Sequence, residues 1–215
     1  MTRILIADDH EVVREGLGKI LVANRDWVIC GEAMNGREAV AKTLQLQPHV
    51  LVLDFALPDL NGLEVTRQVR ATQSQTEVLI LTLHESDELA LATLAAGARG
   101  LVFKSDAGTT LVAAVRQVLL HRPYCTVKVS PRIRENFLHP ARFPALPAAV
   151  SVLTPREREI IQLIAEGHGA KEVAARLQIS FRTVDTHRHN IKRKLKIQSV
   201  GGLVRYALRE KMAAV

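Results

Sequence analysis

The sequence predicts a doubly wound α/β domain with a five-stranded parallel sheet, followed by an all-α domain of four helices. Three observations carry this. Over residues 1–122, short Val/Ile/Leu runs alternate with helix-length amphipathic stretches. Pro123, Pro131, Pro140, Pro144 and Pro147 then fall within one segment, 123–150, where lost backbone donors interrupt regular structure. Residues 151–215 show only helical periodicity and helix-start signals.

In chain order, the predicted strands are Ile4–Ala7, Val28–Gly31, Val50–Leu53, Val78–Leu81 and Gly100–Phe103. Their aliphatic content and length suit strands covered on both faces. Helices are expected at about Glu11–Leu21, after an Asn35 cap with Glu38 three residues on, at Gly62–Ala71, at Ser86–Ala96, and from Asp106 to Leu120. Residues 123–150 read as a linker with room for a short helix near Pro131–Leu138. In the last domain, Thr154-Pro-Arg-Glu157 spells a capping box with proline at the first helical position. The helix it opens should stop near Gly167. The next spans about Lys171–Leu177, a third begins after Ser180 and reaches Leu195, and a fourth runs from Ser199 to before Ala213.

Hydrophobic residues make up 47% of the chain and aromatic residues only 4%, so aliphatic side chains must build the cores. The longest apolar runs fall well short of a membrane span, and two acids follow Ile4-Leu5-Ile6-Ala7 where a signal peptide would need its apolar stretch. A cytoplasmic protein with no membrane partner is the expectation. Cys30 and Cys125 are too few for a disulfide framework or a zinc site. Residues 1–122 carry 12 basic against 15 acidic side chains, whereas residues 151–215 carry 13 against 6. An acidic first domain and a basic last one imply different partners, with nucleic acid the candidate for the basic one.

In a doubly wound sheet, ligands bind beyond the carboxyl ends of the strands. The residues expected there are Asp8 and Asp9, Asp54, Thr82 and Lys104. Clustered carboxylates need a cation, and few carboxylates with room for water suit Mg²⁺. Asp54 is then a candidate nucleophile toward phosphorus, with Lys104 and the Thr82 hydroxyl placed to hold phosphoryl oxygens. Asn61-Gly62 closes a tight loop after Asp54 that could aim the Ala56 carbonyl at the metal.

This constellation, filled in order over residues 1–122, resembles the flavodoxin-like receiver domain of bacterial response regulators. The resemblance implies phosphoryl transfer from a sensor histidine kinase onto Asp54. It also implies a Mg²⁺ site made by Asp8, Asp9, Asp54 and the Ala56 carbonyl, and a coupled switch of Thr82 and Phe103, the aromatic ring moving inward as the hydroxyl turns to the phosphoryl group.

The third C-terminal helix places Val184, Ile191 and Leu195 on one arc and Arg182, Asp185, Thr186, His189 and Arg193 opposite. An apolar back with an Arg/Thr/His face suits the DNA major groove. Leu153-Thr-Pro-Arg-Glu-Arg-Glu, Lys171-Glu-Val-Ala, Ser180-Phe-Arg-Thr-Val-Asp-Thr-His and Ile191-Lys-Arg-Lys-Leu resemble the LuxR-type helix-turn-helix domain. By that resemblance Asp185, Thr186 and His189 face base edges, and Lys171, Arg182, Thr183 and Arg193 favour phosphates. His187 reads as structural. His168-Gly-Ala precedes Lys171, which predicts a weak cap for the second helix. Val200, Leu203, Val204, Ala207 and Leu208 form an apolar stripe on the fourth helix. Part of it should close the small core. The remainder, drawn from Val200, Leu203, Val204 and Ala207, could pair with a second copy on inverted or paired half-sites.

The two halves together resemble a NarL/FixJ-type response regulator, which implies a phosphorylation-switched transcription factor rather than an enzyme. One alternative is a Mg²⁺-dependent phosphatase using Asp54. It is disfavoured because Ala56 stands where a general acid would be needed. The other is a constitutive DNA binder indifferent to phosphorylation.

Overall fold

The computed structural model describes residues 1–72, 74–126, 129–139, 153–209 and 212, and the chain falls into two compact units. In the first, β1 (Thr2–Ala7), β2 (Trp27–Ala33), β3 (Val50–Asp54), β4 (Glu77–Thr82) and β5 (Gly100–Phe103) form one parallel sheet in the order β2-β1-β3-β4-β5. The order reverses at β1, so the topological switch point falls between the ends of β1 and β3. Helices α1 (Glu11–Val22), α2 (Gly36–Leu46), α3 (Gly62–Ala71), α4 (Asp87–Ala96) and α5 (Ala107–Leu119) connect the strands. β3, β4 and β5 are buried along their whole length, as two-sided coverage requires. One core cluster joins Ile4, Ile6, Val50, Val52, Leu79, Leu81 and Val102 to Leu17, Leu21, Leu111 and Val115 from α1 and α5.

Sequence-legible caps hold the helix starts. Asn35 accepts from the Glu38 amide, Asn61 from Glu64, and Ser86 from Leu89. One feature of the first unit differs from the expectation. The sheet has a sixth strand, β6 (Tyr124–Cys125), paired parallel to β5. The short helix expected near Pro131–Leu138 is present as α6 (Pro131–Leu138) and packs on α4 and β6. The segment expected as a linker with room for a short helix therefore begins inside the first unit, because Pro123 ends the preceding turn without preventing the two residues after it from pairing. The rest of that segment, 140–150, lies outside the described residues.

The second unit contains α7 (Pro155–Ala165), α8 (Ala170–Arg176), α9 (Phe181–Leu195) and α10 (Val200–Arg209). Thr154 and Glu157 form the full capping box, and Gly167 takes the left-handed conformation (φ 92°) that ends the first helix. Gly169 caps α8 without a side chain. The Glu172 carboxylate reaches back to the Gly169 amide at 2.7 Å and supplies half of a capping box. The core of this unit is Leu153, Ile160, Ile161, Leu163, Ile164, Val173, Leu177, Val184, Ile191, Leu203 and Ala207.

Candidate functional sites: an acidic pocket and a basic helix face

Asp8 follows β1, Asp54 ends β3, Thr82 ends β4, and Lys104 follows β5, so sheet topology alone brings them to one edge. Asp8 and Asp54 are buried, while Asp9 keeps 32% of its side chain exposed. Lys104 Nζ bridges the buried pair, 2.6 Å from Asp8 Oδ2 and 3.0 Å from Asp54 Oδ2. Burial raises the Asp54 carboxyl above its ordinary range, and Asp8 pushes it further. Lys104 and the Ala56 amide, which hydrogen-bonds the carboxylate, only partly offset this. Burial works against the charge on Lys104, but Asp54 and Asp8 hold the ammonium above its ordinary value.

Three carboxylates against one ammonium leave two negative charges uncompensated. The donors are all oxygen, and one of them is open to solvent. The set therefore fits a hard divalent cation. Ligand atoms of Asp8, Asp9 and His10 lie within 4.8 Å of one another. The loop after Asp54 is tied down: Phe55 donates to Leu81 O and Gly62 to Phe55 O, both at 2.8 Å. Glycine is required at 62, because a Cβ there would sit 2.8 Å from Asp54 O and 2.9 Å from Phe55 Cα.

Thr82 is buried, and its Oγ1 accepts the His84 amide at 3.0 Å. Phe103 is also buried, so the ring already lies inward here. Sequence reasoning missed Arg14. It is buried on α1, donates Nη1 to the Asp8 carbonyl at 3.0 Å, and bonds Glu32 through Nε at 2.9 Å. A charged residue in register with Leu17 and Leu21 was the available signal. His10 stands at the N-cap position of α1; its amide donates to Asp8 Oδ1 at 2.9 Å and its Nδ1 lies 2.8 Å from Asp9 Oδ1.

In the second unit, α9 buries Val184 and Ile191, which turns its opposite face outward. Arg182, Asp185, Thr186, His189 and Arg193 are exposed, as is Lys171 on α8. Thr183 is half-buried. It donates its amide to Ser180 Oγ at 3.0 Å, and its own hydroxyl lies 2.8 Å from that oxygen. Thr186 Oγ1 bonds the Arg182 carbonyl, and Arg193 bonds the Asn190 side chain. His187 is half-buried. Lys194 is committed elsewhere, 2.6 Å from the buried Glu157 carboxylate. On α10, Leu203 and Ala207 are fully buried in the core, so they cannot serve a dimer face as the stripe suggested. Val200, 42% exposed, and half-buried Val204 remain on the surface.

Both units match known families. Residues 4–116 match the response regulator receiver domain family, and residues 151–207 match the luxR family of bacterial regulatory proteins. The chain is 35% identical over 214 residues to the oxygen regulatory protein NreC of Staphylococcus epidermidis, covering 98% of each. A LuxR-family two-component response regulator from Aurantimonas sp. SI85-9A1 is 32% identical with a TM-score of 0.57, covering 66% of this chain and 99% of that one. RcsB from Salmonella enterica serovar Typhimurium, solved on promoter DNA with a phosphomimetic, shares the fold at TM-score 0.60 and 24% identity over 95% of this chain and 97% of that one. The chain belongs to the two-component response regulators, with a receiver domain joined to a LuxR-type DNA-binding domain.

Proposed function

We propose that Asp54 accepts a phosphoryl group from a sensor histidine kinase and that this event controls DNA binding by the C-terminal domain. The bridging of Asp8 and Asp54 by Lys104 at the switch point is the observation that carries the reading. It leaves a buried carboxylate facing the pocket with an ammonium already in place for an incoming phosphoryl oxygen. Asp8, Asp9, Asp54 and the Ala56 carbonyl would hold Mg²⁺, which supplies the charge that a phosphoryl oxygen needs beside carboxylates. Arg14 holds the Asp8 backbone, and the Asn61-Gly62 turn fixes Asp54. Thr82 would release the His84 amide to bond the phosphoryl group, with Phe103 packed behind it, a shift between two populations rather than a rigid relay.

In this reading residues 1–122 are the receiver and residues 151–215 bind DNA, joined through 123–150. On α9, Asp185, Thr186 and His189 read base edges, while Arg182, Thr183, Arg193 and Lys171 meet phosphates. A homodimer on inverted or paired half-sites raises effective concentration, with Val200 and Val204 available at its surface. The protein works in the cytoplasm, and among the described residues no helix is long and apolar enough to cross a membrane.

Binding-site selection on the full chain, with acetyl phosphate and Mg²⁺, tests this. The wild type should enrich paired half-sites more strongly than Asp54→Asn. Equal enrichment by both would favour a constitutive binder.

A further inference from the structure

Helix α6 and its neighbours α4 and β6 hold or adjoin polar atoms that go without hydrogen-bond partners among the described residues. Helix α6 rests on α4 and β6 with Phe137 fully buried. Its capping residue, Ser130, donates its amide to Asp87 Oδ1 in the first turn of α4 at 2.9 Å. Three buried atoms in or beside these elements lack a hydrogen-bond partner among the described residues: Thr93 Oγ1 on α4, Thr126 Oγ1 directly after β6, and Asn136 Oδ1 on α6. Their residues are 0%, 4% and 8% exposed. An unpaired buried polar atom opposes the closed state, since opening returns it to water. Phe137 favours closure, and unpaired polar atoms of this kind weaken it.

The path from the phosphorylation pocket to this joint is short. Thr82 Oγ1 accepts the His84 amide, Ser86 caps α4 by accepting the Leu89 amide at 3.1 Å, and the next residue, Asp87, holds Ser130. Resting on Asp54 as phosphoacceptor, we propose that α6 is a latch on α4 that phosphorylation releases. The Thr82 hydroxyl, drawn to the phosphoryl group, gives up the His84 amide. The turn into α4 then moves, Asp87 withdraws from Ser130, and α6 lifts as the orphaned groups regain water. The regulated element is thus a helix of the connecting segment, on the chain path to the DNA-binding unit.

Hydrogen–deuterium exchange on the full chain tests this through the peptide covering 131–138. Without phosphodonor, Asp87→Ala and Phe137→Ala should speed its exchange roughly tenfold. Thr93→Val and Asn136→Leu should slow it by a similar factor, because they remove unpaired polar atoms at nearly constant shape. With Mg²⁺ and beryllofluoride, exchange in the wild type should rise roughly tenfold, and in Asp54→Asn it should not. If the peptides around Asp8 and Asp54 become protected while 131–138 is unchanged, the latch is wrong and the phosphoacceptor reading stands. If those pocket peptides do not respond, the phosphoacceptor reading falls and takes the latch with it. Faster exchange in both Thr93→Val and Asn136→Leu would show that those atoms were satisfied, and would also overturn the latch.

Discussion

Asp54→Asn is expected to make the receiver more stable when divalent cations are chelated, and less stable than the wild type when they are abundant. In the pocket the two buried carboxylates, Asp8 and Asp54, are bridged by the Lys104 ammonium. At the 3.0 Å separation, and with an effective dielectric near 20, Lys104 attracts Asp54 by about 5 kcal/mol. Burial and repulsion from Asp8 nonetheless outweigh this, since the Asp54 carboxyl sits above its ordinary range. Asparagine keeps the shape and sheds the charge, for a gain on the order of 1 kcal/mol, or about 3–4 °C in a domain of this size. Magnesium at about a hundred times its Kd stabilises the wild type by about 2.7 kcal/mol, and a variant lacking one anionic ligand gains less. The pH sign follows from the raised carboxyl. Wild-type stability improves as pH falls through that raised value, so the advantage of asparagine in chelator shrinks in acid. Trp27 is the only tryptophan of the chain and lies in the receiver core, so its fluorescence during urea unfolding reports on that unit alone. An Asp54→Asn protein less stable than the wild type in chelator at neutral pH would refute the electrostatic account.

Other perturbations probe separate links. Lys104→Met strands two buried carboxylates and should cost about 3 kcal/mol at neutral pH, a loss that narrows in acid as they neutralise; urea midpoints across pH check it. Gly62→Ala drives a Cβ into the Asp54 and Phe55 backbone, so it should lower stability by about 2 kcal/mol and slow phosphorylation by acetyl phosphate. Glu77 is buried, which works against its charge, but hydrogen bonds from His121, Arg70 and Arg99 hold its carboxyl below the ordinary range. Glu77→Gln should therefore cost about 2 kcal/mol at neutral pH, and the difference should vanish as pH falls through the depressed value. If Asp185 faces base edges as proposed, Asp185→Ala should relax base preference at one position without abolishing binding, because an acid there accepts from cytosine but repels phosphate; binding-site selection reads this directly.

The strands were legible because β3, β4 and β5 are buried on both faces and so read as unbroken aliphatic runs. Asp8, Asp54, Thr82 and Lys104 were legible because strand ends in a parallel sheet converge. β6 was not, since two residues after a proline are too short to show a period. Arg14 was hidden by its helix, where its register with Leu17 and Leu21 matters more than its charge. The stripe on α10 was visible, but periodicity alone could not divide it. Leu203 and Ala207 went to the core because α10 packs on α7. Likewise, only the fold reveals Glu157 beside Lys194.

The most direct measurement is mass spectrometry of the purified full chain after incubation with Mg²⁺ and acetyl phosphate. The account predicts a single acid-labile phosphoryl group on the peptide containing Asp54, absent from Asp54→Asn. A protein that stays unmodified, or one modified equally in the Asn variant, would contradict it.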